Sequence, residues 1–192
     1  METYRNLKKG TKIGLIVSAV LLLAVLVNNL FGVVQAFNNG KTSSGIMAIT
    51  DIVLCALIIL YAFFGYKKPH GNMLKILFFA FAVYLALQGT LNIAGNSRFI
   101  VGDLCILAAL LIAYMAGRLH KIEKNKFILI FVGLLILAKT IIVLLSPFAF
   151  DILRIFGRMS SVFTFVSLSL AYVTRYEEHK AAGLADKQDA EN

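Results

Sequence analysis

The segment SPFAFDILRIFGRMSS, residues 146–161, places Asp151, Arg154 and Arg158 inside an otherwise apolar run. Spacings of three and four residues put all three on one face of a helix. A carboxyl group and two guanidinium groups would then project together from material that otherwise suits lipid. Three more charges have comparable surroundings: Asp51 in ITDIVLCALIIL, Asp103 in VGDLCILAALLI and Lys139 in LLILAKTIIVLL. An ionised side chain at the middle of a bilayer costs about 2.5–3.5 kcal/mol on insertion scales. Three acids and three bases are therefore expected to turn inward and form intramembrane salt bridges. Lys139 would meet Asp103 or Asp51, and Arg158 whichever carboxylate remains, since a guanidinium forks well onto a carboxylate.

Amides fall at the same depth. With a rise of ~1.5 Å per residue and ~20 residues across the hydrocarbon, Asn28, Asn29, Asp51, Gln88, Asn92, Asp103 and Lys139 all lie roughly four to eight residues below the outer boundary. Tyr84, Gln88 and Asn92 repeat at a spacing of four, one stripe of a helix. On the same ruler Arg158 is about one turn inside the boundary, Arg154 is at it, and Asp151 is at or just outside it. Such a layer has the chemistry to bind a small polar or anionic solute, with Arg154, Arg158 and Lys139 as the anion contacts.

The elements that must carry this layer follow from the composition. The chain has 192 residues, 59% of them hydrophobic, and a mean hydropathy of +0.83. A soluble domain of this size cannot hide that much apolar surface. Uncharged runs near 13–36, 46–66, 76–95, 99–117, 127–146 and 150–174 predict an all-α polytopic membrane protein with six transmembrane helices. Residues 1–12 form a basic tail, 13–176 the membrane domain, and 177–192 a polar tail without a fixed fold. VVQA after the first run resembles a cleavage site, but the run is too long for a signal-peptide core, so it reads as a retained span.

The net charge of +9 is distributed by topology. Of 19 Lys and Arg, 14 fall in the N-terminal tail, the second and fourth connections and the C-terminal tail. Only Lys41 and Arg98 fall in the alternate connections. The positive-inside rule then puts both termini in the cytoplasm of a plasma-membrane protein. Anionic lipid headgroups, not nucleic acid, are the implied partners. Tyr61, Tyr66, Tyr114, Tyr172 and Tyr176 are expected to mark the inner interface.

Successive pairs of spans share a pattern. Each odd span begins with Lys (Lys12, Lys75, Lys126) and carries polar residues in its outer half, and the even spans place Asp51, Asp103 and Asp151 near their start. The chain thus reads as three pseudo-repeated hairpins, an organisation common in transport folds. The inner halves of the first, third and fifth spans are almost wholly apolar. A pocket reached from outside and closed below by an apolar plug is expected. The sixth span stays polar inward, with Ser160, Ser161, Thr164, Ser167 and Ser169, which suits close helix packing.

Catalytic signatures are missing. GxSxG, HExxH, a P-loop and GxGxxG do not occur. His70, His120 and His179 are far apart in sequence and in connections or the tail, so neither a metal nor another cofactor is expected. Cys55 and Cys105 read as small buried hydrophobes. Asp51 and Asp103 are the one conceivable acid pair for intramembrane proteolysis, but the chain reads as a non-enzyme. In size and span number it resembles the vitamin-binding S components of energy-coupling transporters, although SAVLLLA on the first span is not their small-residue coupling motif. Three short hairpins also resemble the acid-resistance HdeD-type membrane proteins, whose Gly-rich repeat does not occur here. The reading is a solute-binding or transport protein with an outward pocket. Its alternative is a non-transporting stress or immunity factor, or a partner subunit or homo-oligomer, whose ion pairs are structural.

Overall fold

The computed structural model describes residues 9–64, 71–94, 99–118, 122–145, 155 and 158–173. Asp151, Arg154, the three histidines, Tyr66, Tyr176 and the tail 177–192 lie outside the described residues. The described residues form α1 (Lys9–Asn38), α2 (Thr42–Phe64), α3 (Gly71–Ala94), α4 (Phe99–Gly117), α5 (Ile122–Leu144) and α6 (Arg158–Val173), with no strand among them. In hydrocarbon every backbone N–H and C=O must be satisfied internally, which an uninterrupted helix does. Five helices are long and apolar enough to cross a membrane, and α6 is a shorter apolar helix. The chain is a polytopic helical membrane protein.

The closest pairings are α1 with α2 and α3 with α4, and α2 on α3 and α4 on α5 complete the sequential neighbours. The shorter α6 packs against several of them. Leu170 lies against Gly14 of α1 and Phe165 against Gly133 of α5. Tyr172 meets Phe78 of α3 edge-on at 6.3 Å, and Phe165 lies 6.4 Å from Phe81. The centre of α3 is the deepest part of the molecule: Leu74, Leu77, Phe78, Phe81 and Leu85 are at most 1% exposed. Around them Leu22, Val25, Leu54, Ile58, Ile112, Met115 and Leu168 complete an apolar core. Outward faces are equally apolar, with Phe31, Leu110, Phe127 and Ile130 exposed, as lipid contact allows.

Two of the expected interfacial tyrosines belong to this core: Tyr61 and Tyr172 are 9% and 3% exposed. Their position along the helix suits the interface, but their rotation about it points them at α3 and its neighbours. Tyr114 is exposed, with the Arg118 guanidinium 4.5 Å above its ring, an arrangement that suits an interface.

The first hairpin is set by its turn. Gly40 has φ +67°, Gly40 N–H bonds Phe37 O at 3.1 Å and Lys41 N–H bonds Ala36 O at 2.8 Å. This is a Schellman cap, in which glycine takes the left-handed position at no steric cost. The second hairpin is set by a close approach. A Cβ on Gly89 would stand 2.9 Å from Gly102 O, and one on Gly102 would stand 2.9 Å from Gly89 O. The α3 and α4 backbones therefore touch, the small-residue packing typical of membrane helices.

Candidate solute-binding site

Asn29 precedes Gly40 by eleven residues and Asp51 follows it by eleven, so the capped turn delivers both to the same depth on facing helices. Asn29 Nδ2 donates to Asp51 Oδ2 at 2.7 Å. Cys55, one turn further along α2, brings its Sγ to 3.9 Å from Asp51 Oδ1. Asp51 is 3% exposed.

A second cluster adjoins it. Lys139 Nζ, on α5, donates to Gln88 Oε1 of α3 at 2.7 Å and to Ser161 Oγ of α6 at 2.7 Å. Cys105 of α4 lies 3.7 Å from the same Gln88 oxygen. Asn92 Nδ2 donates to the Gln88 carbonyl at 2.7 Å, which ties the upper turn of α3 together. Tyr84 OH and Ser160 Oγ are 3.2 Å apart beside this cluster, because Ser160 and Ser161 are neighbours on α6.

The salt bridge expected of Lys139 with Asp51 or Asp103 is not formed. Among the described residues no ion pair occurs, and Lys139 is held by an amide and a hydroxyl. Asp103 is on the exposed side of α4, because the Gly102–Gly89 contact turns position 102 inward and carries its neighbour about 100° away. Asp103 is therefore neither Lys139's partner nor the second acid of a proteolytic pair with Asp51. Asn28 is half-buried and lies off the site, one residue's rotation from Asn29. Arg158, on α6, donates to Val143 O at 3.2 Å, a carbonyl in the last turn of α5, where intrahelical partners run out.

Beside the clusters is a cavity of about 370 Å³ lined by Asn29, Ser43, Ser44, Met47, Ala48, Asp51, Tyr84, Gln88, Leu91 and Asn92. Its walls are two helix faces. Ser44, Met47, Ala48 and Asp51 follow the i, i+3, i+4, i+7 spacing of one stripe of α2. Tyr84, Gln88, Leu91 and Asn92, at i, i+4, i+7 and i+8, likewise share one stripe of α3. Ser43 and Ser44 are exposed at the start of α2, whereas Asp51 and Tyr84 are buried. The cavity thus runs inward from the end of the bundle that carries the α1–α2 turn. Next to Tyr84 on α3 come Phe81, stacked on it at 6.2 Å, and then Phe78 and Leu77, all buried and apolar.

Four of the ten expected residues, Asn29, Asp51, Gln88 and Asn92, line the cavity together. Lys139 is behind Gln88 and is not among the lining residues. Ser43, Ser44, Met47, Ala48 and Leu91 were not singled out from sequence, although the α2 stripe ending at Asp51 carries the signal. Compared with protein-family models, curated proteins and solved structures, the chain matches none.

Proposed function

We propose that this chain is a solute-binding or transport protein of the plasma membrane, with both termini cytoplasmic and the cavity facing outward. One observation carries the reading: a polar-walled cavity with a buried carboxylate, open towards the end of the bundle that carries the α1–α2 turn and with buried apolar side chains further along α3. A volume of about 370 Å³ suits a small solute, because ligand sites in proteins start near 300 Å³. The basic residues cluster at the opposite end of the bundle, which supports the outward orientation. A buried carboxylate beside a cavity is costly to keep and, at membrane depth, suggests use.

A second reading is favoured by the hydrogen bonds themselves. Asp51 and Lys139 both have neutral partners inside the protein, which suits a non-transporting subunit whose polar layer only fixes helix register.

Cysteine labelling separates the two. Ser44→Cys and Asn92→Cys are on the cavity wall, while Val53→Cys is on the lipid-facing side of α2 at the depth of Asp51. Native Cys55 and Cys105 are buried. A membrane-impermeant thiol reagent added outside intact cells is expected to label the two wall positions and spare Val53→Cys. No labelling at either wall position, or labelling only from the cytoplasmic side, removes the outward cavity.

A further inference from the structure

Resting on the solute-binding reading, we propose that the cavity takes a small organic cation bearing an ammonium group, with Asp51 as its counter-ion. The layer as a whole suggested an anion, but its groups are not equally placed. Among the described residues that line the cavity, Asp51 carries the one charge. The Lys139 ammonium is turned to Gln88 and Ser161 on the far side, and Arg158 reaches a carbonyl of α5.

The amides strengthen the case. Asn29 Nδ2 is engaged by Asp51 and Asn92 Nδ2 by the Gln88 carbonyl. Each of these two residues still offers a solute its carbonyl oxygen, besides one further N–H. With the hydroxyls of Ser43, Ser44 and Tyr84, the wall is rich in acceptors. An ammonium finds acceptors there, and Asp51 supplies the one opposite charge among the described residues of the wall. Met47, Ala48 and Leu91 supply an apolar strip for hydrocarbon attached to the nitrogen. A bare metal ion fits poorly, since the space far exceeds one ion and no group of three His, Cys, Asp or Glu occurs among the described residues.

The test uses the full chain purified in detergent. Melting is followed with a thiol-reactive fluorogenic dye, because Cys55 and Cys105 are buried in the fold and react on unfolding. Probes are choline chloride, n-butylammonium chloride, sodium butyrate, 1-butanol and sodium chloride at matched ionic strength. Choline or butylammonium is expected to raise the melting temperature saturably, and the other three are not. Asp51→Asn, isosteric and able to keep a bond to Asn29, is expected to weaken that binding by at least about tenfold. Ala48→Phe, which fills the cavity without touching the charge, should abolish it, and Asp103→Asn should leave it unchanged. Should Asp51→Asn fail to fold, Ala48→Phe and Asp103→Asn still decide between the cavity and a surface effect.

A shift by butyrate that Ala48→Phe removes keeps the site but overturns its charge preference. A shift by sodium chloride that Asp51→Asn removes replaces the organic cation by an inorganic one. An ammonium shift that survives both Asp51→Asn and Ala48→Phe overturns the assignment. If no probe shifts the melting point, the cation proposal falls; the cavity reading falls with it only if Ser44→Cys is also unlabelled from outside.

Discussion

The two N-terminal hairpins hold their helices together by different means. In α1–α2 the contact is a side-chain bridge, Asn29 to Asp51, spanning two helices that keep their full width. In α3–α4 it is backbone against backbone at Gly89 and Gly102. The first arrangement leaves space beside it, and the cavity occupies that space. The second leaves none, and it steers its polar neighbours to the flanks: Gln88 toward Lys139 and the cavity, Asp103 to the exterior. A polar residue in a membrane helix thus joins a site or leaves it according to how tightly the adjacent turn is packed.

That contrast can be broken at its tight end first. Gly102→Val adds a side chain where even a Cβ would meet Ile93 Cγ1 at 2.5 Å and Gly89 O at 2.9 Å. A loss of about 3 kcal/mol is expected, read as a lower unfolding midpoint on titration with denaturing detergent. At the loose end, Asn29→Ala removes a donor from a buried carboxylate and should cost about 2 kcal/mol in the same assay, with the mutant remaining extractable. The smallest effect concerns the pairing suggested by charge balance. In a double-mutant cycle of Asp103→Asn with Lys139→Met, coupling below about 0.5 kcal/mol is expected, as for residues that share no partner. Coupling well above that would mean the two charges meet.

Five of the six expected spans, and the grouping of polar residues at one level of the bundle, were legible in the sequence, because both depend on counting residues along a helix axis. Asn29, Asp51, Gln88, Asn92 and Lys139 all take part in one layer. Rotation about the axis was not legible. In a soluble helix an apolar stripe marks the inward face, but here lipid-facing Phe31 and Leu110 are as apolar as core Leu22 and Ile112. Nothing in the composition then distinguishes Asn28 from Asn29, or predicts that Asp103 faces away. The sum of charges misled for the same reason: three acids and three bases balance on paper, yet Lys139 is satisfied by Gln88 and Ser161, whose neutral side chains give no charge signal. The expectation of a polar or anionic solute rested on Arg154, Arg158 and Lys139 as contacts, and Lys139 is not among the residues lining the cavity.

The Gly40 cap has a consequence for how the protein is made. Asn29 is synthesised 22 residues ahead of Asp51, so the amide is already in place when the acid follows it out of the ribosome and into the insertion machinery. A carboxylate entering lipid as part of a lone helix carries the full insertion cost; one that enters as the second arm of a pre-bent hairpin arrives with its donor beside it. The first two helices are thereby suited to enter the bilayer as a single unit, before the chain that completes the bundle exists.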